Sequence, residues 1–152
     1  MPGVTGGTVS SRAIGEMVDA MDDESWYGTA ELSTGDYRIG LVHHGERDAR
    51  GWTTWRDGDR IGVLHGVVSN RAELGLSTAE IFERVLADPD RTLPELSGPF
   101  LLAVADRTST VVATDKIGTR PCYYSMVNGF LFGSGLKSLV TQLHDPRVDE
   151  RG

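Results

Sequence analysis

The sequence predicts a layered α+β domain in which two antiparallel sheets are covered by helices. Two observations carry that prediction. Short apolar segments of strand-like composition recur along the chain between polar or glycine-containing turns. Helix-period segments stand before, between and after them, and such an order layers helices over sheets. At 152 residues the chain suits one domain. A domain of that size buries roughly two thirds of its unfolded surface.

Taken in order, Val4 to Val9 reads as a short buried strand, with a tight turn expected at Gly6 and Gly7. Ser10 or Ser11 then caps a helix, because Ala13, Ile14, Met17, Val18 and Met21 recur at three- and four-residue spacing. Asp22, Asp23 and Glu24 mark its exit, since carboxylates are unfavourable at a helix C-terminus. Trp26 to Leu32, the turn Ser33 to Asp36, and Tyr37 to His43 read as a hairpin. Glu46 to Gly51 is a charged loop. A second strand pair, Trp52 to Arg56 and Arg60 to Val68, is joined by the turn at Asp57 to Asp59. Ser77 opens the next helix with Glu80 as its capping-box partner, and Ile81, Phe82, Val85 and Leu86 form the buried face. Asp88 and Pro89 stop it, and Leu93 to Leu96 is a short turn.

From Leu96 to Val140 the chain gives its most ordered pattern, LSGPFLLAVADRTSTVVATDKIGTRPCYYSMVNGFLFGSGLKSLV. Four strands are predicted, Pro99 to Ala105, Thr110 to Thr114, Cys122 to Met126 and Gly129 to Gly133. A helix follows, with Leu136, Leu139, Val140 and Leu143 as its apolar stripe. The domain is expected to span 1–144, with 145–152 as a polar tail.

Composition narrows the function classes. Twenty-two acidic against fifteen basic residues give a net charge of -7, which disfavours nucleic acid as a partner because phosphate contacts need a positive face. No run approaches the roughly 20 apolar residues of a membrane span, and MPGVTGG lacks a basic-then-apolar signal pattern, so a cytoplasmic protein without a membrane partner is expected. The single cysteine, Cys122, excludes an intrachain disulfide and reads as a small buried hydrophobe inside a strand. His43, His44 and His65 lack supporting acids at ligand spacing, so no metal is expected. The run GSGLKS places Leu136 where a phosphate loop requires glycine before lysine. Trp26, Trp52 and Trp55 read as core or sheet-face packing.

The order of these segments resembles the glutaminase domain of asparagine synthetases, which are class II glutamine amidotransferases. The L-S-G-P-F strand, the D-R turn, the strand ending at Asp115, the segment GTRPCYY, the following hairpin and the GLKSL helix match its second half. MPGVTGG resembles the family's Met-Cys-Gly-Ile start, LHGVVSNRAEL its Asn-Gly-Glu-Ile-Tyr-Asn strand end, and STAEI its Ser/Thr-Asp-x-Glu helix start. The resemblance implies an N-terminal-nucleophile hydrolase fold, a four-layer αββα sandwich in which the first cysteine attacks the amide of glutamine. It implies no cofactor.

The chemistry implied can be checked residue by residue. The family's nucleophile is a thiol whose own α-amino group helps move the proton; the matching position is Pro2, which has no nucleophilic side chain. The family's oxyanion hole uses a side-chain amide and a backbone N–H of its Asn-Gly pair; His65 and Gly66 match, keeping only the backbone donor. The acid that would hold the substrate's amino group is matched by Val67, and the second acid by Thr78. Arg47 or Arg50 is placed to clamp the substrate carboxylate. Losing both acids removes charge-assisted contacts to the ammonium group, so glutamine binding should be severely weakened. The expectation is a degenerate amidotransferase domain acting as a binding, regulatory or structural subunit, with a separate synthetase subunit or a second copy as partner. The alternative is an active amidohydrolase supplying ammonia to a separate ATP-dependent synthetase. The Ser-Gly-Gly-x-Asp-Ser signature of ATP binding is not in this sequence.

Overall fold

The computed structural model describes residues 2–45, 52–127, 129–144 and 146. Two antiparallel sheets stack face to face. One has the order β2-β3-β1-β9-β8, built from β1 (Gly3–Thr8), β2 (Gly28–Thr34), β3 (Tyr37–His43), β8 (Tyr123–Ser125) and β9 (Leu131–Gly133). The other runs in chain order through β4 (Trp52–Asp57), β5 (Arg60–Gly66), β6 (Phe100–Ala105) and β7 (Thr110–Thr114). The helices α1 (Ser11–Asp19) and α4 (Leu136–Val140) cover the first sheet, and α2 (Thr78–Ala87), followed by α3 (Pro89–Thr92), covers the second.

Three apolar layers hold the four structural layers together. Val4, Ile39, Leu41 and Phe132 of the first sheet meet Ile61, Val63, Leu101 and Ala103 of the second. Ile14, Met17, Val18 and Met21 pack on Val42 and Leu131. Ile81, Phe82 and Val85 pack on Leu64, Leu102 and Val104. Alternation along β5 explains the division: side chains successive in a strand point to opposite faces, so Ile61 and Val63 enter the inter-sheet core while Leu64 faces α2. Both helices seat over a glycine. A Cβ on Gly40 would stand 2.4 Å from Val18 Cγ2, and one on Gly62 2.7 Å from the Phe82 ring. The fold is therefore the αββα sandwich expected from the sequence.

Several elements depart from the reading of the sequence. No turn occurs at Gly6 and Gly7; β1 runs through both, because Gly6 is paired with Ile39 of β3 on one side and Phe132 of β9 on the other. Asp88 and Pro89 do end α2, but Asp88 also accepts from Arg91 N at 3.1 Å and Pro89 opens α3, whose first positions need no N–H. The expected turn at Leu93 to Leu96 is a 3-10 helix over Leu93–Glu95. Of the apolar residues in α4 only Leu139 is buried, beside Ser138, whereas Leu136 and Val140 are exposed: five residues make little more than one turn, so one face alone reaches the core. Cys122 lies just before β8, not within a strand, and burial raises its thiol pKa. The expected charged loop, 46–51, and most of the expected tail lie outside the described residues. Among the described residues no helix is long and apolar enough to cross a membrane.

Candidate functional site

Strand directions bring the singled-out positions to one end of the sandwich. The Thr34 hydroxyl donates to the Asp59 carbonyl, joining the β2–β3 turn to the β4–β5 turn. From that end β3 runs to His43 and β5 to Gly66, and β1, antiparallel to β3, begins with Gly3 opposite Val42. Pro2, His65 and Gly66 thus share the far end of the two sheets. Among the described residues, Pro2 and Gly66 line different cavities.

His65 is 8% exposed and lies on the inner face of β5, in the row continued from Ile61 and Val63. Its ring stacks on Trp52, its cross-strand partner, with centroids 3.7 Å apart and planes 8° from parallel. Arg120 Nη1 lies 2.8 Å from His65 Nε2. A guanidinium has donors only. Nε2 must therefore accept, and the imidazole is neutral with its proton on Nδ1.

Arg120 reaches this place because the preceding loop is tied to β6. The Asp115 carboxylate accepts from Thr119 N at 3.2 Å, Thr119 Oγ1 at 3.0 Å, Ile117 N at 3.2 Å and Phe100 N at 3.3 Å. Burial works against its charge, but these donors outweigh burial and hold its pKa below the ordinary aspartate value. Phe100 is the cross-strand partner of Gly66, so one carboxylate ties the loop before Arg120 to the strand beside His65.

Gly66 has φ +103°, and a Cβ there would stand 2.1 Å from the Pro99 carbonyl oxygen. Only glycine fits both constraints. The ladder also fixes which way its N–H points. Val67 N donates to Pro99 O at 2.9 Å, and Phe100 O accepts from Asp115 N at 3.0 Å on the β7 side. Hydrogen-bonded and non-bonded pairs alternate in an antiparallel ladder, so Gly66 and Phe100 form a non-bonded pair. The Gly66 N–H is directed away from β6, toward the β4 side.

Val67 and Thr78 are brought together. With Thr53, Leu64, Gly66, Val68 and Arg71 they line a cavity of about 170 Å³ between the end of β5 and the start of α2. Arg71 Nη1 donates to Thr78 Oγ1 at 2.8 Å across its mouth. Leu64 and Thr53 face α2, the side opposite to His65. Pro2 lines a different cavity of about 160 Å³ with Met21, Asp23, Ser134, Leu136 and Lys137. Arg47 and Arg50 lie outside the described residues.

Arg120 and Arg71 were not singled out from the sequence, and Trp52 was read there only as core or sheet-face packing. Arg120 stood inside the quoted segment GTRPCYY, but its contact spans 55 residues, which no local spacing announces. Of the other histidines, His43 Nδ1 accepts from Gly45 N at 3.0 Å and His44 stacks on Trp26 at 5.2 Å. Among the described residues no three His, Cys, Asp or Glu side chains are grouped to hold a metal ion.

Comparisons with known proteins agree with this fold. Glutamine phosphoribosylpyrophosphate (PRPP) amidotransferase from B. subtilis, in a structure complexed with ADP and GMP, superposes with a TM-score of 0.65 at 14% identity, over 91% of this chain and 43% of that one. The chain therefore spans less than half of that protein's length. No curated protein sequence matches. Residues 77–152, half of the chain, match the glutamine amidotransferase domain family, to which this chain belongs.

Proposed function

We propose that this is an asparagine synthetase-related glutamine amidotransferase domain, spanning 1–144, that does not hydrolyse glutamine and serves as a binding or regulatory subunit. One observation carries the reading. At the position matched to the oxyanion-hole amide, His65 turns Nε2 to Arg120 as an acceptor at 2.8 Å, so that nitrogen has no N–H to offer a developing oxyanion, and Nδ1, which carries the ring's proton, is buried. The neighbouring positions point the same way: Pro2 supplies no side-chain nucleophile, and Val67 and Thr78 supply no carboxylate for an ammonium group. Its partner in this reading is a separate synthetase subunit or a second copy, in the cytoplasm.

A second reading, an active amidohydrolase feeding ammonia to a separate synthetase, draws on Gly66, whose N–H is turned off the β6 ladder and would be the backbone donor to the oxyanion. Ammonia release from glutamine separates the two. The expected result is no release above a buffer control across a range of salt concentrations. Release that disappears in His65→Ala would sink the binding reading in favour of the amidohydrolase.

A further inference from the structure

The cavity at the end of β5 has the opposite charge from one that holds an amino acid's ammonium group. We propose that it binds a small carboxylate carrying no ammonium group beside it. This rests on the reading above that glutamine is not the ligand. Among the described residues Arg71 is the one charged side chain lining the cavity, and no carboxylate lines it. Arg71 is exposed along the mouth, but its placement is set by the 2.8 Å bond to Thr78, which itself is only half-buried. Among the described residues no carboxylate stands within ion-pair distance of Arg71. The acid nearest in sequence to Thr78, Glu80, is engaged by Ser77 N and Oγ, each at 2.7 Å.

The chemistry follows from these groups. A guanidinium has five N–H donors in a planar fork that matches a carboxylate. One donor is used on Thr78, and the rest remain. Thr78 Oγ1 accepts from Arg71, so its own O–H is left to donate to the same anion. Leu64, Val67 and Val68 supply an apolar wall for a short carbon chain. The volume of about 170 Å³ corresponds to about five or six water volumes, the scale of a five-carbon acid. An ammonium group placed here would face Arg71 with no acid among the described residues to offset it.

Glutarate, L-glutamine and inorganic phosphate titrated into the isotopically labelled protein, with amide shifts followed by NMR, test this. Glutarate should give saturable shifts at Gly66 to Thr78, while glutamine should not. Arg71→Gln, a change at an exposed residue, should weaken glutarate by at least about tenfold, as for loss of a charge-assisted contact. Val67→Glu, at a position 48% exposed, should abolish glutarate binding. The proposal is overturned by an absence of saturable glutarate binding, by unchanged affinity in either variant, or by tighter binding of phosphate than of glutarate. Ammonia measured in the same glutamine samples reports on the non-hydrolytic reading separately, so its failure is distinguishable from failure of the carboxylate assignment.

Discussion

At Asp115 one carboxylate gathers the donors of Phe100, Ile117 and Thr119, and the arrangement sets where Arg120 can go. The sign of its effect on stability follows from its pKa. An aspartate held below its ordinary value of about 3.9 stabilises the fold above that pH, and the contribution is lost as pH falls through the lower, folded-state value. Asp115→Asn should therefore lower the urea midpoint near neutral pH, and its gap from the parent protein should narrow as pH drops below about 4. A gap that is constant from pH 7 to pH 3 would mean that the carboxylate's charge is not what holds the loop. The same substitution should loosen Arg120 from His65, because the loop's anchor on Phe100 would be weakened.

Among the elements, α2 shows what local sequence can specify. Ser77 Oγ accepts from Glu80 N at 3.2 Å and Glu80 Oε2 accepts from Ser77 N at 2.7 Å, a complete capping box. Ser77→Ala should cost about 1 kcal/mol, read as a lowered urea midpoint with unchanged slope. A loss below a few tenths would show that tertiary packing of Phe82 and Ile81 alone fixes the helix start. This cap was legible because its two partners are three residues apart and their spacing is a property of the helix itself. The strands were legible for a similar reason: β2 alternates between more and less exposed positions at every residue from Gly28 to Ser33, and β6 is wholly buried, as its run FLLAVA implies. The site was legible only in part. Gly66, Val67 and Thr78 could be aligned with a known pattern, and all three do line one cavity, but Arg71 reaches Thr78 through a non-periodic loop. Nor does periodicity say that β1 passes straight through Gly6 and Gly7, since that depends on two neighbours distant in the chain.

At the scale of the whole molecule the two sheets are assembled differently. The β4-β5-β6-β7 sheet follows chain order, while the other places β9 against β1, with Thr5 opposite Gly133. The family match begins at residue 77, between β5 and β6. Each half of the chain consequently owns strands of both sheets: β1 to β5 before that point, β6 to β9 after it. A single cut in the exposed stretch around Gly75 would leave two fragments, neither holding a whole sheet, each presenting one raw edge in each layer. Such fragments should be recovered as a one-to-one complex that elutes with the uncut protein, rejoined through β5 to β6 and β1 to β9 at once. Separate elution of two folded pieces would contradict this. The sandwich is in this sense a heterodimer written on one chain, its two halves each serving as the other's template.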